Sequence, residues 1–245
     1  SDHDSDDDTI EKIVGDSSSK QIYRQYHNST EHNVKSSIII NFSRANDMSD
    51  EYFHVCDIDD VTQYEFYRDI NTFLYMKIPH NVGCRVPEIY ACSDYGMAVQ
   101  MEDLGSMNLS DCGFRFNIYR DLIRWLAYLN KLYKERTVHY FIKHRQYETE
   151  AINDELSDFV QYCSRDYYDL VENVLEKMKN VPKSMCHRDF QPRNIMIRDG
   201  EPRVIDVQDM CIGPLTYDLG SLLYDPFVTI PKDDINVLTT LYSFL

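Results

Sequence analysis

The chain has 245 residues, of which 25 are Lys or Arg and 41 are Asp or Glu, giving a formal charge of −16. So acidic a composition disfavours extensive contact with a phosphate backbone, and nucleic acid is not an expected partner. Hydrophobic residues reach 43% and aromatics 13%, enough for a folded core rather than a disordered chain. The densest apolar stretch, Val34 to Phe42, is broken by Lys35, Ser36, Ser37 and Asn41, so no membrane span is expected.

Residues 1–8 read as a solvated acidic tail without the basic-then-apolar pattern of a secretory signal. A small polar turn, Gly15-Asp16-Ser17-Ser18-Ser19, leads into a period-two stretch in which Ile22, Arg24 and Tyr26 alternate with Tyr23 and Gln25. Val34 to Phe42 is a buried-strand candidate, so the opening predicts an antiparallel meander. Val61, Tyr64, Tyr67, Ile70, Leu74 and Ile78 recur at helical spacing, and Pro79 and Gly83 end that helix. Glu88 to Cys92 and Met97 to Met101 are the next strands, with Asp94-Tyr95-Gly96 as the turn between them.

From Gly105 onward the pattern is mainly helical. Ile118, Leu122, Ile123, Leu126, Leu129 and Leu132 mark one helix, and 151–162, 168–178 and 233–245 are three more. Short apolar pieces, Met185-Cys186, Ile195-Met196-Ile197 and Val204-Ile205, interrupt them, and Asp199-Gly200 signals a tight hairpin between the last two. The expected class is α+β, in two lobes: a small antiparallel-sheet N-lobe over 9–103 and a mainly helical C-lobe over 104–245.

The seven cysteines are scattered without a Cys-x-x-Cys pair, which argues against a zinc site and for free thiols in a reducing cytoplasm. The chemistry lies in His187-Arg188-Asp189-Phe190-Gln191-Pro192-Arg193-Asn194 and, after a hairpin, Ile205-Asp206-Val207-Gln208-Asp209. Phosphoryl transfer needs a carboxylate beside the attacking hydroxyl and hard oxygen ligands for magnesium. Asp189 and Asn194, five apart on one loop, can supply the base and an amide oxygen ligand. Asp206, at the end of the hairpin, can return to the same point as the carboxylate ligand. Pro192 restricts φ within the loop.

These segments resemble the aminoglycoside phosphotransferase and choline kinase superfamily, which has a protein-kinase-like fold. Cys186 to Asp189, Arg193 to Met196, Ile205 to Asp209 and Gly213 to Leu219 are most similar to its branch of N-acetylmuramate and N-acetylglucosamine anomeric kinases. The resemblance implies a cytoplasmic, ATP- and magnesium-dependent kinase with Asp189 as base and Asn194 and Asp206 as metal ligands. It implies a hinge at Met101, Glu102 and Asp103 whose backbone meets the adenine, and a phosphate-side turn that includes Gly15 and Ser17. It also implies that His187 and Asp218 brace the catalytic loop.

In this superfamily a lysine on the third strand commonly contacts the phosphates. Here that strand reads Ile38-Ile39-Ile40-Asn41-Phe42. Lys20 or Arg24 is expected to take over as the phosphate cation. The favoured acceptor is the anomeric hydroxyl of an N-acetylated amino sugar; choline or an aminoglycoside, suited by the acidic charge, is the alternative. A nucleotide-binding pseudokinase or interaction module is the alternative outside enzymes, and retention of Asp189, Asn194 and Asp206 together weighs against it.

Overall fold

In the computed structural model, residues 9–13, 20–27, 36–42, 58–93, 97–147 and 180–245 are described, together with residues 170, 173, 174 and 176–178. The N-terminal part builds an antiparallel sheet from β1 (Thr9–Ile13), β2 (Gln21–Tyr26), β3 (Ser36–Asn41), β4 (Ile89–Ser93) and β5 (Ala98–Glu102), in the order β1-β2-β3-β5-β4. Its register pairs Ile22 with Ile40 and Ile38 with Met101, so the alternation read in β2 sets one apolar face. The turn expected at 94–96, like the Gly15 turn and the acidic tail, lies outside the described residues.

Helix α1 (Ile58–Lys77) packs on this sheet and starts three residues earlier than its apolar periodicity does. Its spacing joins two cores. Tyr64 and Tyr67 meet the Phe42 ring at centroid distances of 5.9 and 5.5 Å under the sheet, while Ile70 and Leu74 are fully buried in the larger core. The helix stops at Pro79, and the short turn His80–Val82 closes on Gly83 at φ +85°, where a Cβ would lie 2.9 Å from Asp121. Only glycine fits both that conformation and that approach.

The rest is mainly helical, with α2 (Leu109–Cys112), α3 (Phe116–Lys134), α4 (Tyr140–Lys143), α5 (Tyr217–Leu223) and α6 (Lys232–Phe244). Asn108 and Asp111 form a reciprocal cap on α2. Helix α3 is the centre of the core: Ile118, Tyr119, Leu122, Ile123, Trp125, Leu126, Leu129 and Leu132 are all buried on it. Each contributes about 1.5–3 kcal/mol of burial, and α6 packs along it. The helix expected at 151–162 lies outside the described residues; of the one expected at 168–178, residues 170, 173, 174 and 176–178 are helical.

Two small antiparallel pairs complete the fold. Strand β7 (Ile195–Arg198) turns into β8 (Glu201–Val204) through Asp199 at φ +53° and Gly200 at φ +80°, the two positive angles a two-residue hairpin requires. Strand β6 (Lys183–Cys186) pairs with β9 (Cys211–Pro214), an element absent from the sequence reading. The architecture is α+β, an antiparallel sheet followed by a mainly helical part, as expected. Among the described residues no helix is long and apolar enough to cross a membrane.

Candidate active site

The loop after β6 is held by buried groups on three sides. Asp218, at the start of α5 and 2% exposed, accepts the backbone N–H of His187 at 2.6 Å and of Arg188 at 3.0 Å, the latter at φ +76°. Burial pushes the Asp218 carboxyl above its ordinary value, against the pull of His187 and those two amides. Phe190 stacks on Trp125 of α3 with centroids 5.2 Å apart and rings 3° from parallel. His187 is fully buried and bonds the Ile205 carbonyl through Nε2 at 2.9 Å. A carbonyl only accepts, so Nε2 carries the hydrogen, and Nδ1 is buried with no partner among the described residues.

So anchored, the loop presents Asp189 to solvent. Gln191 donates to its Oδ1 at 2.8 Å and Asn194 to its Oδ2 at 2.7 Å. The Asn194 amide nitrogen also donates to the Asp189 carbonyl, at 3.0 Å. With its nitrogen committed to Asp189, Asn194 has its amide oxygen left for a hard cation. The Ile205 N–H bonds the Asn194 carbonyl at 3.0 Å, which ties the end of β8 to this loop and sets Asp206 beside it.

Asp206 adopts φ +66° and receives two donors on the same oxygen: Lys20 Nζ at 3.2 Å and Gln208 Nε2 at 2.7 Å, both to Oδ1. Burial raises its carboxyl, but Lys20 and Gln208 outweigh that and hold it below the ordinary aspartate value. Lys20, just before β2, rests over the rings of Phe42 and Tyr67, 5.4 and 6.0 Å from their centroids. Lys20 therefore arrives from just before the second strand, while the third strand offers Ile38 and Ile40 to the same space.

That space is a cavity of about 570 Å³. Ile22, Ile38, Met101, Leu104, Met196 and Ile205 line its apolar part, fit for a flat base, and Lys20, Asn194 and Asp206 are among its polar lining. Among the described residues no three His, Cys, Asp or Glu side chains form a full protein cage for a metal. Asn194 and Asp206 suit a magnesium ion shared with phosphates instead, because that ion keeps few protein ligands.

Not every expected site residue faces this cavity. Met101 and Glu102 line it; Asp103 does not. Arg24, named with Lys20 as a phosphate cation, points instead to Asp103, with Nε 2.7 Å from Oδ2 and Nη2 3.2 Å from Oδ1. Asp103 also accepts from Ser36 Oγ at 2.7 Å and the Gly105 N–H at 2.9 Å, and Arg198 bonds its carbonyl. Burial raises its carboxyl, and these donors, Arg24 foremost, bring it below the ordinary value. Gly15 and Ser17 lie outside the described residues.

Three neighbours of the site were not named as such by the sequence reading: Gln63 and Tyr67 on α1, and Arg145, which bonds the Gln208 carbonyl and reaches Asp209 Oδ1 at 3.1 Å. Tyr67 was legible only as a core position of its helix. Arg145 gave no signal, because its partners lie more than 60 residues away.

A model of the phosphotransferase enzyme family matches residues 59–237. Over 73 residues the chain is 38% identical to the N-acetylmuramate/N-acetylglucosamine kinase of Pseudomonas aeruginosa, a match that takes in 30% of this chain and 20% of that enzyme. The chain thus matches about a fifth of that relative's length. The choline kinase of Cryptosporidium parvum superposes with a TM-score of 0.62 over 96% of this chain and 71% of that one, at 10% identity. Aminoglycoside-3'-phosphotransferase of type VIII does so at 0.57, over 96% and 86%, at 14% identity. Both likenesses concern the fold.

Proposed function

The chain belongs to the phosphotransferase enzyme family, and from that premise we propose that it is a small-molecule kinase that moves the γ-phosphoryl group of ATP to a hydroxyl. The observation that carries this reading is the convergence of Asp189, Asn194, Asp206 and Lys20 from three separate segments, the last three of these residues lining a cavity with an apolar flank. In this reading residues 9–103 bind the nucleotide, with Met101 and Glu102 along the base, and residues 104–245 hold the catalytic loop and the acceptor.

Asp189 orients the acceptor hydroxyl and takes its proton. Its two amide neighbours, Gln191 and Asn194, keep the carboxylate pointed outward. Asn194 Oδ1 and Asp206 would hold magnesium, which supplies charge neutralisation at the phosphates when bound. Lys20 places a second positive charge at the same end of the cavity, doing from just before β2 what a third-strand lysine does elsewhere. Asp218 and His187 keep the loop in shape through backbone groups rather than through substrate.

The acceptor we favour is an N-acetylated amino sugar at its anomeric hydroxyl. The sequence match to an enzyme named for N-acetylmuramate and N-acetylglucosamine supports it. An anomeric hydroxyl is also more acidic than an ordinary alcohol, which lowers the demand on a carboxylate base. A cytoplasmic setting follows from the need for ATP and suits the free thiols of Cys84, Cys186 and Cys211. The net charge of −16 favours a second reading, a cationic acceptor such as choline or an aminoglycoside. An ATP-consumption screen against amino sugars, choline and aminoglycosides, with the product phosphate located by phosphorus NMR, separates the two. A higher kcat/KM for a cationic acceptor than for any amino sugar would move the assignment to the second reading. No turnover with any hydroxyl acceptor would remove the kinase reading itself.

A further inference from the structure

The turn Val207–Asp209 carries an amide bonded on one side only. Gln208 is 5% exposed; its Nε2 donates to Asp206 Oδ1 at 2.7 Å and approaches Asp209 Oδ2 at 3.5 Å. Its Oε1 is buried with no partner among the described residues. A buried amide ordinarily satisfies both ends. Turning this one over would set its oxygen against two carboxylates, so charge fixes the donor toward Asp206 and the acceptor goes unpaired. Such an unpaired acceptor persists where the donor end is needed.

The surroundings hold that donor in place. Arg145 reaches Asp209 Oδ1 at 3.1 Å, bonds the Gln208 carbonyl and lies over the Phe66 ring of α1 at 4.9 Å. On the other side Lys20 shares Asp206 Oδ1 with Gln208. Two donors thus saturate one oxygen of Asp206, and Oδ2 accepts no hydrogen bond among the described residues.

We propose that Gln208 is a positioning residue for a divalent cation. By saturating Oδ1 together with Lys20, it stops the Asp206 carboxylate from rotating and leaves Oδ2 as a one-oxygen ligand. The inference rests on the reading of Asp206 as the cation's carboxylate. Magnesium demands near-ideal octahedral geometry, which a single fixed oxygen meets better than a rotating, two-oxygen carboxylate. Groups that orient a ligand from behind are worth about 10–100-fold in metal affinity.

The test uses the full chain with ADP bound and manganese as a spectroscopic substitute, free Mn²⁺ being counted by electron paramagnetic resonance. Gln208→Met keeps the volume and removes the donor. We expect manganese affinity to fall by about tenfold, while ADP affinity without metal and the Tm stay near those of the wild type. Unchanged manganese affinity in folded Gln208→Met overturns the inference. If that variant does not fold, Asp209→Asn removes the charge that orients the amide. A several-fold loss of manganese affinity then supports the inference, and no loss overturns it. Failure of the wild-type chain itself to take up manganese with ADP is a separate result, because it removes Asp206 from the ligand role altogether.

Discussion

Replacing Asp189 with Asn keeps the size of the side chain and one acceptor oxygen for Gln191 or Asn194, so the loop should hold its shape. What disappears is the proton acceptor. Turnover should fall by roughly 10²–10⁴-fold, the scale of a positioned acid–base group, with ADP affinity within a factor of two of wild type by calorimetry. Near-normal turnover would take the base role away from Asp189. Lys20→Met should raise KM for ATP by about tenfold or more, since a charge-assisted contact is worth about 1.5–3 kcal/mol. Arg24→Met should leave KM for ATP much closer to wild type. The contrast between these two cations was beyond sequence reasoning. Positions 20 and 24 are four residues apart, and only the fold, in which Lys20 precedes β2 and Arg24 lies within it, sends one to Asp206 and the other to Asp103. Asp189, Asn194 and Asp206 could be proposed together from the sequence because they fall within twenty residues of one another.

The hairpin that returns Asp206 to the loop is the element on which the site depends, and it was the easiest to read. Asp199-Gly200 names its own turn, with both angles positive. A Cβ added at Gly200 meets nothing within 4 Å, so Gly200→Ala carries a backbone cost alone. Chemical denaturation should show a loss of about 1–2 kcal/mol with an unchanged m-value; a neutral or stabilising change would mean that the turn relaxes to another type. Strand β9 was missed for the opposite reason. Cys211-Ile212-Gly213-Pro214 is four residues long and half of it is Gly and Pro, which strands avoid. It exists because tertiary partners supply both edges: β6 pairs with one side, and on the other the Ile212 N–H bonds the Arg145 carbonyl at 2.8 Å.

At the scale of the molecule, the two-lobed order was legible because strand-like and helix-like periodicities occupy different halves of the chain. The junction was expected only as a position. Sequence put Asp103 at the hinge, but not the four groups that grip it, which come from residues 24, 36, 105 and 198. Its carboxyl is held below its unfolded value, so its contribution to stability is complete above about pH 5 and is lost as pH falls through the folded value. Asp103→Asn should cost about 2–4 kcal/mol near pH 7, because it leaves Arg24 half-paired in a largely buried setting. Thermal melts across pH should show the gap from wild type narrowing below about pH 4; a gap that stays constant to pH 3 would assign the loss to packing instead.

The same junction has a consequence in time. Arg24, Ser36 and Arg198 lie 79, 67 and 95 residues from Asp103, so closing these contacts requires the sheet and the β7–β8 hairpin to be already in place. Interactions that form after the rate-limiting barrier slow unfolding without hastening folding. The Asp103 cluster is therefore a brake on the way out of the native state. In stopped-flow chevrons Asp103→Asn should steepen the loss almost wholly on the unfolding arm. At 2–4 kcal/mol, that is roughly a 30- to 900-fold shorter native lifetime at equal refolding rate.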